Sequence, residues 1–243
     1  MVLLVIYSVL LLIFPELVTW QFIGLSSPLL GLILNVILYF FLILIGIYFR
    51  LEETALTSKE ITLIAIYSAF TAVARIPFVA LPNVQPCSFL IFSAGIAFGP
   101  LIGFMIGANT AVISNMFLGQ GLWTIYQIIA WGFIGIVGGL FQNLRKKLFI
   151  RRNLYFMAFT GFILGFIYGA IMNIWTWMLN PPLTLLSFLA LYSSSFFFDL
   201  AHAISNFLFI IYFGEKVVNI LNRYHDRFFL LKFDGKAKNL EGV

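Results

Sequence analysis

IPFVALPNVQPCSFLIFSAGIAFGPLIGFMIGANTAVISNMFLGQGLWTIYQIIAWGFIGIVGGLFQNL, residues 76–144, holds 69 consecutive positions without Asp, Glu, Lys, Arg or His. The run still carries amides and indoles: Asn83 and Gln85 between Pro82 and Pro86, then Ser114, Asn115, Gln120, Trp123, Tyr126 and Gln127. An unpaired charge in lipid costs several kcal/mol, roughly, whereas a neutral amide finds partners. The stretch therefore reads as membrane-embedded and suited to a polar, largely uncharged solute.

The rest of the chain agrees. Of 243 residues, 62% are hydrophobic and 9% charged, against about 25% charged in an ordinary soluble domain. Mean hydropathy is +1.06. Cys87 is the single cysteine, which excludes an internal disulfide and a cysteine-rich metal site. The pI near 9.4 comes from few cations lying between apolar segments. They read as orientation signals and not as a nucleic-acid surface. Residues 2–14 resemble a signal-peptide core, but no Lys or Arg precedes them and no small-residue cleavage site follows. They are expected to stay in the mature chain.

A spanning helix needs about 20 mainly apolar residues. Eight segments are expected: 2–22, 28–49, 61–76, 87–98, 100–118, 123–142, 154–179 and 188–213. Pro15 and Glu16 interrupt the first. Segment 87–98 is too short to span as a straight rod, and Gly99-Pro100 breaks it from the next. Short helices at membrane depth are tolerated where protein surrounds them or a cavity adjoins. The fold expected is all-α: a six-helix module over 51–213, a two-helix membrane extension over 1–50, and a basic tail over 214–243. Arg145, Lys146, Lys147, Arg151 and Arg152 place their loop inside. Lys216, Arg223, Arg227, Lys232, Lys236 and Lys238 place the tail there too. Both termini are then cytoplasmic, and the uncharged loops 77–86, 119–122 and 180–187 face outward. Thr57-Ser58-Lys59-Glu60 has the capping-box pattern that opens a helix.

Gly95, Gly99, Gly103 and Gly107 recur every four residues, as do Gly161, Gly165 and Gly169. Such faces let helices approach closely in lipid. Ala65 and Ala69, extended by Ala72, form a second small-residue stripe, for internal packing or for a helix of another membrane protein. Arg75 stands one residue before Ile76-Pro77, where it either snorkels to water or meets a ligand or the external loop. Asp199 and His202, three apart, share a helical face about 18 Å below Ser187. An ionisable pair at that depth is a functional candidate, either a proton relay or a structural pair with the imidazole donating to the carboxylate. His225 lies in the tail, so haem ligation by two intramembrane histidines is excluded. The two prolines stiffen the Asn83–Gln85 segment, whose amides offer donors and acceptors. With Asn115, Gln120, Trp123, Tyr126 and Gln127 at the same membrane face, the ensemble reads as a binding site.

These residues resemble the substrate-binding S components of energy-coupling factor (ECF) vitamin transporters. The resemblance runs through Ala74-Arg75-Ile76-Pro77, Pro82-Asn83-Val84-Gln85-Pro86, Gly95-Ile96-Ala97-Phe98-Gly99-Pro100 and Gly103-Phe104. Its most specific part is Ser114 to Thr124 with Gln127 and Ala130-Trp131-Gly132, and it is most similar to the cobalamin-type branch. It covers roughly 60–213. Leu122 and Ile125 stand where proline is expected from the resemblance, and the two N-terminal helices exceed the usual six. The resemblance implies a subunit that captures a vitamin outside, cobalamin first. It implies docking to a transmembrane T component through Ala65 and Ala69, and two ATPase subunits as the power source. The chain lacks a Gly-x-x-x-x-Gly-Lys-[Ser/Thr] loop, so ATP use falls to those partners. No cofactor and no bound metal is expected. Two other readings stay open: a stand-alone proton-coupled carrier and an intramembrane enzyme, each using Asp199 and His202.

Overall fold

The computed structural model describes residue 38 and residues 56–147, 151–180 and 184–240. The expected spans 2–22 and 28–49 lie outside the described residues, apart from the helical Leu38. The chain divides into two compact units, Met1–Leu56 with Met178–Leu183, and Thr57–Trp177 with Thr184–Val243. The second carries everything below.

Helix α1, Ser58–Arg75, opens with the capping box. Thr57 is extended (φ −72°, ψ 155°), its hydroxyl oxygen accepts the Glu60 N–H, and the Glu60 carboxylate accepts the Thr57 N–H at 2.7 Å. Pro77 ends the helix in a single 3₁₀ turn, Ile76–Phe78. Helix α2, Cys87–Phe98, has twelve residues, all buried. At 1.5 Å per residue it is about 18 Å long, short of a bilayer core. The helices that follow it in the chain and α1 surround it, so its ends never need lipid. Gly99 closes it at φ 92°, a conformation glycine adopts without strain, and Pro100 opens α3, Pro100–Leu118. Gly99 is thus the break between two helices and not a member of the glycine face.

The remaining glycines do pack backbone on backbone. A methyl added at Gly95 of α2, or at Gly103 of α3, would strike the Gly135 carbonyl of α4, Trp123–Leu140. One at Gly107 would strike the Trp131 carbonyl. The second stripe lies on α5, Arg151–Met178, and faces α6, Leu185–Phe209. There Gly161 meets Ile210, Gly165 meets Ala203, and Gly169 meets the Asp199 carboxylate.

The sequence reading ended the last span at 213 and left a tail. Instead the helix passes through one π turn, Ile210–Gly214, into α7, Glu215–Leu240. Val218, Leu221 and His225 are buried, and the His225 ring stacks on Phe98 at the end of α2. Nothing at Gly214 stops the helix: it is buried with Ile210 and Leu154 close by. Five described helices are long and apolar enough to cross a membrane, and the short α2 joins them. This is a multi-pass membrane protein.

Candidate functional site

The site gathers where α1 ends, α2 begins, and α3 turns into α4. Arg75 stands in the last turn of α1. Its Nη1 donates to Ser114 Oγ at 3.0 Å and to Asn115 Oδ1 at 3.1 Å. Asn115, fully buried, donates from Nδ2 to Thr124 Oγ1 at 2.8 Å and to Gln127 Oε1 at 2.6 Å. Gln127 donates onward to the Tyr168 hydroxyl at 3.3 Å. Thr124 donates to Gln120 Oε1, and Gln120 donates to the Val112 carbonyl. The turn that brings Gln120 and Thr124 back over Asn115 needs Gly119 at φ 106°.

A second chain of bonds starts at Trp131. The indole can only donate, and a backbone carbonyl can only accept, which fixes the direction of the chain. Trp131 Nε1–H donates to Ser88 Oγ at 3.1 Å, and the Ser88 hydroxyl donates to His202 Nε2 at 2.9 Å. His202 Nδ1–H then donates to the Asn83 carbonyl at 3.0 Å. Asn83 sits at φ 55°, which asparagine tolerates better than most side chains. Its own Nδ2 donates to the Phe198 carbonyl at 3.0 Å. One residue thereby ties the proline-bounded segment to α6 with both main chain and side chain.

Aromatic stacking joins the two chains. The Arg75 guanidinium lies 5.3 Å from the Trp131 ring centre. Trp131 stacks on Tyr168 at 5.5 Å, and Tyr168 on His202 at 4.8 Å. The result is one connected network across α1, α2, α3, α4, α5 and α6. Of the eight expected binding residues it contains Arg75, Asn83, Asn115, Gln120 and Gln127. Tyr126 is buried against the Trp175 ring, and Trp123 is partly exposed, its ring filling the room beside Gly121. Gln85 is half-buried on the Asn83 segment, outside these bonds.

Asp199 and His202 do not pair with each other. Asp199 accepts from Ser195 Oγ at 2.8 Å and Asn173 Nδ2 at 3.0 Å on the α5 side. His202 turns to Ser88, Tyr168 and Asn83. The expected imidazole-to-carboxylate bond is replaced by two separate, satisfied groups. Ala65 and Ala69 are exposed on the outer face of α1, but Ala72 is buried, so the small-residue stripe is two residues long on the surface. Among the described residues no His, Cys, Asp or Glu cluster could hold a metal.

Sequence reasoning missed Ser88, Tyr168, Asn173 and Ser195, and missed Trp131 as a member of the site. Ser88 looked like one more small residue in an apolar helix. Tyr168 stands beside Gly169, and the glycine spacing was the only signal there. The site's polar groups bond to one another and leave little room. Beside them Ser88, Phe92, Ile134, Gly161, Asn206 and Ile210, among others, line only a packing crevice too narrow for a water molecule. Small-molecule pockets usually run from about 300 Å³ upward.

A family model described as "ECF-type riboflavin transporter, S component" matches residues 55–223. That range begins just before the capping box and contains every residue of the network. Distant relatives are UPF0397 proteins. Those of Aliivibrio salmonicida and Aliivibrio fischeri are 26% and 24% identical over 124 residues, 46% of this chain and 67% of theirs. That of Vibrio atlanticus is 26% identical over 96 residues, 37% of this chain and 52% of its own. No solved structure matches. The match spans more than two thirds of the chain, from the N-cap of α1 into α7, and so the protein belongs to the ECF-type riboflavin transporter S component family.

Proposed function

We propose that this chain is the solute-capturing membrane subunit of an ECF-type importer and that its ligand is a vitamin, riboflavin first. The observation that carries the reading is the network itself. A segment with 69 uncharged positions contributes Asn83, Asn115, Gln120, Gln127 and Trp131 to one connected patch beside Arg75. Amides, indole and phenol hold a flat heterocycle by hydrogen bonds and stacking. Cobalamin, suggested by the sequence resemblance, draws no support from the family description. Riboflavin takes its place.

The mutual bonding of the network implies work on binding. A ligand exchanges amide–amide bonds for amide–ligand bonds, so little net hydrogen bonding is lost while aromatic area is gained. The chain makes and breaks no covalent bond. The basic run over 145–152 follows Gln142, which packs at Gly99 at the far end of α2 from the Asn83 segment, and this supports an outward-facing network and a cytoplasmic basic end. The exposed Ala65–Ala69 face supports docking to a T component, with two ATPase subunits below it. In this reading residues 1–50 are an addition to the capture module, and the helix Glu215–Leu240 continues its last span.

The test uses purified full-length protein in detergent. Riboflavin fluorescence should be quenched on mixing, because Trp131 and Tyr168 stack on bound ring systems, and the vitamin should co-elute on gel filtration. Cobalamin, read by its visible absorbance, should not. A protein that retains neither vitamin refutes the reading, and retention of cobalamin alone restores the other branch.

A further inference from the structure

We infer that Arg75 is the specificity-determining residue of this site and that it takes a rigid pair of adjacent hydrogen-bond acceptors from the solute. The inference rests on the capture role proposed above. Among the described residues only Nη1 of the guanidinium meets protein acceptors, the neutral Ser114 and Asn115. Nε is buried without any partner. Among the described residues the Nε–Nη2 edge carries no protein hydrogen bond, and Arg75 pairs with no carboxylate. A buried donor with no acceptor is costly, and a cation at membrane depth without an anion is costlier.

Packing holds that edge in place. Ser114 and Asn115 fix the far end of the guanidinium, and the Trp131 face 5.3 Å away fixes its plane. Asn115 cannot turn toward the edge, since both its donor hydrogens are committed to Thr124 and Gln127. Snorkelling to water leaves the buried Nε unexplained, because that donor meets no acceptor. What fits a planar two-donor edge is a planar two-acceptor group. Two chemical sources supply one: a ring carbonyl beside a ring imine nitrogen, as in a flavin, or a carboxylate.

The experiment is a cycle between one side chain and one ligand atom. Affinities of riboflavin and 5-deazariboflavin, which lacks the imine acceptor, are measured on wild-type protein and on Arg75→Gln and Arg75→Lys. Biotin and its amide form the carboxylate arm. For the ligand that binds, removal of one acceptor should weaken wild type about tenfold or more and change Arg75→Gln little. Arg75→Lys should behave like the glutamine variant, since it keeps the charge and loses the fork. Thermal unfolding of each variant separates loss of fold from loss of contact. Equal losses in wild type and Arg75→Gln overturn the inference while leaving capture intact. A wild-type protein that binds none of the four ligands overturns both.

Discussion

Asn115→Ala should destabilise the bundle strongly for so small a truncation. The side chain makes three hydrogen bonds: it accepts from Arg75 at 3.1 Å and donates to Thr124 at 2.8 Å and Gln127 at 2.6 Å. The three losses differ. Thr124 keeps Gln120 and the Gly121 amide, and Arg75 keeps Ser114, so both are partly compensated. Gln127 Oε1 loses the donor shown for it, in a residue 4% exposed. A buried acceptor left unmade costs about 1–3 kcal/mol. Interhelical bonds in membrane bundles average about 0.6 kcal/mol each, near 2 kcal/mol for three before any compensation. The expected loss is thus about 2–4 kcal/mol, or roughly 30- to 800-fold in the unfolding equilibrium. Denaturant titration of purified protein in mixed micelles reads it. The coupling is read by a double-mutant cycle with Gln127→Ala, which should depart from additivity by about 0.5 kcal/mol or more. A loss under about 1 kcal/mol, or additive singles, would show that the network is not a unit and would refute this accounting.

Gly135→Ala should cost about 1–3 kcal/mol or more, because the added methyl meets the Gly103 backbone and the Phe104 amide, neither of which can rotate away. Melting temperature in detergent checks it, and an unchanged value would mean that α3 and α4 do not touch there. Ala65→Leu and Ala69→Leu, both on the exposed face of α1, should alter stability by no more than about 0.5 kcal/mol and leave ligand binding intact. Vitamin uptake by cells carrying the partner subunits should fall sharply. Normal uptake would remove this face from partner docking.

Helix ends were legible because the chain punctuates them locally. Thr57 and Glu60 cap α1, Pro77 stops it, and Gly99-Pro100 separates α2 from α3. Each of these signals acts within four residues and needs no partner from elsewhere. The end of α6 was illegible for the same reason reversed: no breaker stands at 213, and a basic composition alone does not unwind a helix that Val218, Leu221 and His225 anchor. The polar composition of the site was readable too, since amides surviving in a charge-free membrane segment have to be hydrogen-bonded. Which amide bonds which was beyond the sequence.

Composition and local signals alone made this an all-helical membrane protein, fixed where most described helices begin and end, and marked Arg75, Asn83, Asn115, Gln120 and Gln127 as candidates. Three-dimensional packing alone decided their partners. Asp199 and His202 share one face of one helix, yet the neighbours differ on either side: α5 brings Asn173 to the carboxylate, and α2 brings Ser88 to the imidazole. Periodicity reports where a side chain leaves its own helix. It carries no information about which other helix stands there, because that depends on glycine-to-backbone contacts between residues as far apart in the chain as Gly95 and Gly135.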